Sequence, residues 1–230
     1  MKILKRKQII VALDYDSFKE ANSISKLLDP EIYRLKIGKQ LFTAEGPKII
    51  ENFNKQGFDI FLDLKLHDIP NTVKGGLRAI KKLAPLLTTI HISGGDEMMK
   101  ASIKSKKNTK ILGVSVLTSL DNKQTEIYYN ENNIELLVKK LAKKAKLNKL
   151  DGIVCSPKEI KFVRKALGKK FLIVTPGIRP KKNNKKDDQK RTLSPLEAIK
   201  RGANLLVIGR PITMSKNPLK ILKEINNSLI

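Results

Sequence analysis

Residues 61–73 read FLDLKLHDIPNTV, and this stretch determines how the rest of the chain is interpreted. It begins as an apolar run that suits a buried strand, and it then places Asp63, Lys65 and Asp68 close together. A charge inside a buried strand is costly unless it is paired. Three charges of alternating sign in so short a span therefore predict a paired cluster, and such clusters are typical of functional sites.

Strand-like and helix-like patterns alternate on both sides of this stretch. The predicted strands are 8–14, 33–37, 59–65, 89–93, 110–117, 152–155, 171–175 and 205–208. The predicted helices are about 17–28, 46–56, 71–82, one ending near 105, 134–146, and three that begin near 157, 194 and 217. Such alternation predicts parallel pairing with right-handed crossovers. Eight units predict a single α/β domain, a (β/α)8 TIM barrel over residues 1–230.

The main structural alternative is a doubly wound open sheet. That fold usually carries a glycine-rich nucleotide-binding turn after its first strand. Here Asp14-Tyr15-Asp16 stands at that place. No linker or shift in composition divides the chain, so one domain is expected.

The length, the cysteine count and the hydropathy point to a cytoplasmic protein. The chain has 230 residues, enough for one large core, and Cys155 is its only cysteine. No internal disulfide is possible, so a buried and inert thiol in a reducing compartment is expected. The sequence has no apolar run of the roughly 18–20 residues that cross a membrane. We interpret the basic N-terminus and the apolar run after it as a first strand, not a signal peptide.

The net charge of +25 raises the possibility of nucleic-acid binding. However, the lysines are spread over nearly every predicted helix, and aromatic residues, which form base-stacking platforms, are only 5% of the chain. Compositional drift towards lysine explains this distribution better than a dedicated surface. We expect no specific nucleic-acid partner, only weak and salt-sensitive contacts.

Polar residues fall at the carboxyl ends of the predicted strands, where TIM barrels carry their active sites. They are Asp14, Lys36, Asp63, Lys65, Ser93, Ser115, Thr118, Thr175, Arg179, Gly209 and Arg210. Asp63 and Lys65 are two positions apart, so a regular strand would direct both to the same face. Lys36, one strand away, can reach the same place. Such a cluster can hold a proton ready for a carbanion, although an ion-pair network without catalysis is the alternative.

The end of the eighth strand predicts a phosphate site. Barrels often bind phosphate with the loops that follow strands seven and eight. Gly209 lets backbone N–H groups approach an anion, and the planar guanidinium of Arg210 can donate two parallel hydrogen bonds to a phosphate. The polar segment at about 178–192 could close over a ligand as a mobile loop. A disordered, lysine-rich loop is the alternative interpretation of that segment.

Several separate motifs, in this order, resemble those of the bacterial-type orotidine 5′-phosphate decarboxylases. They are VALD (11–14), LKIG (35–38), DLKLHDIPNT (63–72), VLTS (116–119), TPGIRP (175–180), DQ (188–189) and VIGRP (207–211). Together they span nearly the whole chain. A bare Asp-x-Lys-x-x-Asp motif would be less specific, because related sugar-phosphate decarboxylases and aldolases of the same barrel superfamily share it.

This resemblance implies a carboxy-lyase that converts orotidine 5′-monophosphate to uridine 5′-monophosphate (UMP) and carbon dioxide, the last step of pyrimidine biosynthesis. It implies no metal and no organic cofactor, and a homodimer with shared active sites. The implied catalytic residues are Lys65 as proton donor, Asp63 against the substrate carboxylate, Lys36, and Asp68, which with Thr72 would reach the neighbouring subunit's site. The implied substrate-binding residues are Asp14 and Lys36 at the ribose, Thr118 near the base or ribose, and Arg179, Gln189, Gly209 and Arg210 at the phosphate.

Two other functions are compatible with the sequence, and the two histidines have no assigned role in the implied site. A magnesium-dependent sugar-phosphate enzyme of the same superfamily is the nearest rival, and a basic nucleic-acid-binding barrel is the non-enzymatic one. His67 lies inside the central motif, and we expect it to be structural. His91 is expected to be a hydrogen-bonded rim or core residue.

Overall fold

A closed barrel of eight parallel strands, in chain order, forms the centre of the computed structural model, which describes residues 7–180 and 192–229. The strands are β1 (Ile9–Leu13), β2 (Tyr33–Gly38), β3 (Ile60–Leu66), β4 (Leu87–His91), β5 (Lys110–Val114), β6 (Gly152–Val154), β7 (Leu172–Thr175) and β8 (Leu205–Ile208). Each strand pairs with its sequence neighbours, and β1 pairs with β8. The predicted (β/α)8 architecture is confirmed.

Helices connect the strands on the outside of the barrel. They are α1 (Phe18–Ser25), α2 (Lys39–Glu45), α3 (Lys48–Lys55), α4 (Pro70–Lys82), α5 (Asp96–Ser105), α6 (Asn122–Tyr129), α7 (Ile134–Leu147), α8 (Ile160–Leu167), α9 (Pro195–Arg201), α10 (Arg210–Thr213) and α11 (Pro218–Asn227). Short 3-10 turns occupy Ile92–Gly94 and Pro157–Glu159. The helix expected to open at Pro157 therefore begins as a 3-10 turn and becomes α-helical only at Ile160.

Three helices, α2, α6 and α10, were not predicted from the sequence. Helix α2 follows β2 directly and has no side-chain cap at Gly38. Helix α6 lies in the segment interpreted as a long connection, and Thr125 is its buried residue. It is mostly polar and depends on a capping box between Asp121 and Gln124. An apolar stripe was therefore absent as a signal for this helix.

Two hydrophobic layers follow from the alternation of side chains along the strands. The inner layer fills the barrel and consists of Ile10, Ala12, Phe61, Leu87, Leu112, Leu172, Val174, Leu205 and Val207. The outer layer, which includes Val11, Leu35 and Leu62, packs against the helices. Because the inner layer fills the barrel interior, space for a ligand is expected at the mouth, at the carboxyl ends of the strands.

Local signals from the sequence were mostly correct. Ser17 caps α1, accepting a hydrogen bond from the Glu20 backbone N–H at 3.3 Å, but the Glu20 carboxylate accepts from the serine hydroxyl and does not complete the expected capping box. Gly57 follows α3 with φ +87°, the left-handed conformation typical of a C-terminal glycine. The Cys155 side chain is buried, as expected. Within the described ranges, no helix is both long and apolar enough to cross a membrane.

Candidate active site

A cavity of about 600 Å³ opens at the barrel mouth. Eight residues predicted from the sequence line it: Asp14, Lys36, Asp63, Lys65, Thr118, Arg179, Gly209 and Arg210. The sequence did not single out five other residues on its wall: Tyr15, Gln40, Pro176, Thr213 and Met214. The predicted clustering on one rim is therefore observed for these eight residues, whereas Ser93, Ser115 and Thr175 do not line the cavity.

A chain of alternating charges lies at the base of this cavity. Lys36 Nζ is 2.9 Å from Asp14 Oδ1 and 4.0 Å from Asp63 Oδ2, and Lys65 Nζ is 2.7 Å from Asp63 Oδ2. Asp63 is only 8% exposed and Lys36 only 9%. We call Asp14, Lys36, Asp63 and Lys65 the charged chain. Its centre, Lys36 and Asp63, is buried, and Asp14 and Lys65 reach the solvent at its ends. Each lysine has a carboxylate partner, as burial of charge requires.

The surroundings of Asp63 keep it ionised. Burial on its own would raise the pKa of this carboxyl group. The Lys36 and Lys65 ammonium groups, together with hydrogen bonds from Lys65 and Thr89, outweigh burial, and the pKa is lowered. Asp63 is therefore an anion at neutral pH, and its negative charge holds both lysine side chains in place.

Lys65 approaches Asp63 for a different reason from the one predicted. The sequence suggested regular alternation, but the pairing of β3 with β4 shifts between Leu62 and Leu66, and Lys65 has φ +52°. Such a left-handed backbone is uncommon for a residue with a side chain, and it occurs where the surroundings enforce it. The prediction that the two side chains meet is confirmed, whereas the regular strand assumed for it is wrong.

Thr89 on β4 is a buried residue behind the cavity that the sequence interpretation also missed. Its side chain is fully buried, and its hydroxyl donates to Asp63 Oδ1 at 2.9 Å and accepts from the Lys65 backbone N–H at 2.9 Å. One signal could have found it: two adjacent threonines, Thr88 and Thr89, interrupt an apolar strand. A buried hydroxyl needs a hydrogen-bond partner.

Gly38 provides the space in which Lys36 meets Asp14. A β-carbon at this position would lie 2.8 Å from Lys36 Nζ and 3.2 Å from Asp14 Oδ1. No side chain fits there unless the ion pair moves. The glycine at the end of β2 is therefore part of the site, although it has no functional group.

The opposite side of the mouth carries cations on loops. Arg179 follows β7, and Arg210 begins the short helix α10 directly after Gly209. The two ends of the intervening segment are joined, because the Arg179 N–H donates to the Leu193 carbonyl at 2.9 Å. Gln189 and most of the predicted closing loop (178–192) lie outside the described residues.

A model of the orotidine 5′-phosphate decarboxylase / HUMPS family matches residues 7–225. The chain belongs to this family. It is 42% identical over 231 residues to an orotidine 5′-phosphate decarboxylase of Aliivibrio fischeri, with 98% of both chains covered, and 41% identical over 228 residues to one of Vibrio cholerae, with 97% of this chain and 98% of that one covered.

Solved structures agree with the family assignment. The crystal structure of an orotidine 5′-phosphate decarboxylase from Lactobacillus acidophilus matches with a TM-score of 0.82 at 38% identity, covering 96% of this chain and 98% of that one. An uncharacterized conserved protein from Geobacillus kaustophilus matches with a TM-score of 0.83 at 30% identity, covering 96% of this chain and 100% of that one.

Asp68 and Thr72 do not belong to the cavity of their own chain. Both are exposed, and neither lines the mouth of the barrel. Asp68 Oδ1 accepts a hydrogen bond from the Ile69 N–H at 2.6 Å, which turns the chain into α4. The central motif of this family member is therefore split: Asp63 and Lys65 face the cavity, whereas Asp68 and Thr72 point elsewhere.

The two histidines of the chain lie against each other beside the charged chain. The ring centroids of His67 and His91 are 5.0 Å apart. His91 Nδ1 is buried, and no group in the described part of the chain forms a hydrogen bond with it. The expectation that this histidine would be fully hydrogen-bonded was therefore wrong. Burial, followed by repulsion from His67 and Lys65, lowers the pKa of His91 to about 4. His91 is therefore neutral at pH 7.

Proposed function

We propose that this chain decarboxylates orotidine 5′-monophosphate to UMP, the last step of pyrimidine biosynthesis. One observation carries the proposal: the charged chain presents the Lys65 ammonium at the base of a cavity large enough for a nucleotide. Family membership supplies the substrate, because the relatives from both organisms above are named for this activity.

The chemistry that this geometry supports is protonation of a carbanion. The bond between carbon 6 and the carboxylate breaks, its electron pair stays on carbon 6, and carbon dioxide leaves. A fixed ammonium stabilises that charge as it develops. Lys65 then donates its proton to carbon 6. In the proposed binding mode Asp63 lies against the substrate carboxylate, and Lys36 and Asp14 contact the ribose hydroxyls.

The proposed binding mode places the phosphate between the ends of β7 and β8. Arg179 and Arg210 supply cationic donors, Gly209 allows backbone N–H groups to approach, and Gln189 contributes from the loop at 178–192. Thr118 contacts the base or ribose from the end of β5. Binding energy from the phosphate, remote from carbon 6, can close this loop and support the chemical step.

The active form is proposed to be a homodimer with shared sites. Ile69, between the exposed Asp68 and the start of α4, is 66% exposed, so an apolar side chain of this segment is accessible to a second copy of the chain. A second copy would cover it and bring Asp68 and Thr72 into the neighbouring cavity.

Subunit exchange tests this sharing. Lys65→Ala and Asp68→Ala proteins should each be nearly inactive. When mixed and allowed to exchange, they should recover activity, because one site of each heterodimer contains both residues intact. If exchange is demonstrated and activity stays absent, the sites are not shared.

The decisive assay incubates the purified chain with orotidine 5′-monophosphate, with and without a chelator. We expect UMP to form equally in both reactions. No UMP in either would refute the proposed function, and loss of activity only with chelator would favour a magnesium-dependent enzyme of the same superfamily.

The proposal includes no specific nucleic-acid partner, and it places the enzyme in the cytoplasm, where Cys155 stays reduced. Surface lysines give weak attraction to any polyanion, which salt screens. Binding of an RNA or DNA probe should therefore vanish near physiological salt. Tight binding that persists there would instead support a basic nucleic-acid-binding barrel.

A further inference from the structure

The irregular part of β3 leaves the Lys65 backbone without its usual partner on β4. In the register of these strands Leu62 faces Thr88 and Leu66 faces Ile90, so a step of four residues on β3 spans a step of two on β4. Three residues of β3, Asp63 to Lys65, therefore lie opposite one residue of β4, which is Thr89. Its hydroxyl accepts a hydrogen bond from the Lys65 N–H at 2.9 Å.

The same hydroxyl also holds the carboxylate that pairs with Lys65. Thr89 Oγ1 donates a hydrogen bond to Asp63 Oδ1 at 2.9 Å, and Lys65 Nζ donates one to the other carboxylate oxygen, Asp63 Oδ2, at 2.7 Å. A hydroxyl can donate one hydrogen bond and accept others, so a single side chain can serve both groups. Valine, which has the same shape, can serve neither.

We propose that Thr89 is a positioning residue, whose hydroxyl fixes the Asp63 carboxylate and the left-handed Lys65 backbone relative to each other and so directs the Lys65 ammonium into the cavity. This inference rests on the proposed function for its effect on catalysis. Thr89 is fully buried and does not line the cavity, so it acts through its neighbours and not on the substrate.

The adjacent residue provides a matched control. Thr88 is also fully buried on β4, and its hydroxyl donates to the Leu62 backbone carbonyl at 2.9 Å. Replacing Thr88 by valine removes a buried hydrogen bond from the same pair of strands but touches neither Asp63 nor Lys65. Thr88→Val therefore controls for the loss of a buried threonine hydroxyl from this pair of strands, whereas only Thr89→Val also removes the contacts to Asp63 and Lys65.

The test measures kcat, KM and thermal midpoint for wild type, Thr89→Val, Thr89→Ser and Thr88→Val. Loss of a hydrogen bond to a charged group predicts that Thr89→Val lowers kcat by about 10- to 100-fold with little change in KM. Thr89→Ser should recover most of this loss, and Thr88→Val should stay within about threefold of wild-type kcat. If Thr89→Val does not fold, Thr89→Ala compared with Thr89→Ser isolates the hydroxyl.

Two results would overturn the inference: a hydroxyl-free Thr89 variant with wild-type kcat, or equal losses in the Thr88 and Thr89 variants. A crystal structure of Thr89→Val gives a readout independent of activity. We expect Lys65 to leave its positive φ or its ammonium to move away from Asp63. An inactive wild type would refute the proposed function alone, and an unchanged Lys65 in the variant structure would refute the positioning role alone.

Discussion

The two halves of the barrel mouth carry their charges in different ways. On the side of β1–β4, Lys36, Asp63 and Lys65 belong to strands, and they are locked together by ion pairs. On the side of β5–β8, the strand residues that line the cavity are apolar, as at Val154 and Val207. There the cations come from beyond the strands, on loops and on the first turn of α10.

This difference separates two tasks. Charges fixed on strands are already arranged for the charge that develops in a reaction, so little reorganisation is needed when it occurs. Cations on loops can adjust to a ligand and hold the part of it that does not react. We expect substitutions on the strand side to act mainly on kcat and those on the loop side mainly on KM.

The largest effect should come from Lys65→Ala. Loss of the proton donor and of the ammonium beside carbon 6 predicts a fall in kcat of at least about 10³-fold. Lys100→Ala is the matched control, because Lys100 forms an ion pair of the same length, 2.7 Å, with Glu97 on the surface of α5. Steady-state kinetics should leave the control unchanged, and a comparable loss in both variants would contradict a specific role for Lys65.

Arg210→Ala should produce the next largest effect, and mainly on KM. Loss of charge-assisted hydrogen bonds to phosphate predicts an increase of about 10²-fold. Arg201→Ala serves as control, because Arg201 is an exposed arginine whose described ion pair is with Glu197 on α9. If Arg210→Ala lowered kcat as severely as Lys65→Ala and left KM unchanged, the two halves of the mouth would not differ in task.

Gly38→Ala should act on the strand side without removing any functional group. The new methyl group would displace the Lys36 ammonium from Asp14, and a small misplacement of this kind predicts a loss of about tenfold in kcat. Gly75→Ala in α4 is the control, because a β-carbon there meets no atom within 4 Å. That control should be neutral or slightly stabilising; wild-type kinetics in Gly38→Ala would show that the ion pair tolerates displacement.

The smallest effect concerns stability and pH. The pKa of His91 falls from 6.5 to about 4 on folding, so the unfolded chain binds the proton more tightly in that range. The free energy of unfolding should therefore decrease as the pH falls from 6.5 to 4, by about 1 kcal/mol after allowance for the solvent contact of this ring. Asp63 has a lowered pKa, so its contribution is lost only at more acidic pH.

Denaturant unfolding at several pH values checks the His91 contribution. His91→Gln should flatten the curve between pH 6.5 and 4, the range set by the two pKa values of this histidine. His67→Gln, which changes the exposed partner in the ring contact, should flatten it less. An unaltered slope in His91→Gln would mean that another group causes the loss.

The sequence was sufficient for the architecture and for the composition of the cavity. Eight apolar runs alternating with helices predicted the barrel, because that pattern leaves few other topologies. Polar residues at the strand ends predicted the rim for the same reason: parallel strands bring their carboxyl ends to one edge. Lys36 could therefore be placed near Asp63, and Asp14 on the same rim, without knowledge of their contacts.

The internal geometry of the charged chain could not be predicted. The irregular pairing at Lys65 depends on what β4 offers opposite it, and a two-residue period carries no information about that. The adjacent threonines at 88 and 89 indicate a buried polar position, but threonine is an ordinary strand residue, and the partners of Thr89 follow only from the register between β3 and β4. Helix α6 was missed for a similar reason, since its capping residues resemble those of a loop.

Orotidine, the substrate without its phosphate, gives the most direct test of the division between the two halves. The measurement is kcat/KM for orotidine and for orotidine 5′-monophosphate in wild type, Lys65→Ala and Arg210→Ala. We expect Arg210→Ala to match wild type on orotidine within about threefold while losing about 10²-fold on the phosphorylated substrate. Lys65→Ala should lose at least about 10³-fold on both substrates. Equal losses on orotidine in the two variants would contradict the assignment of chemistry to the strands and phosphate binding to the loops.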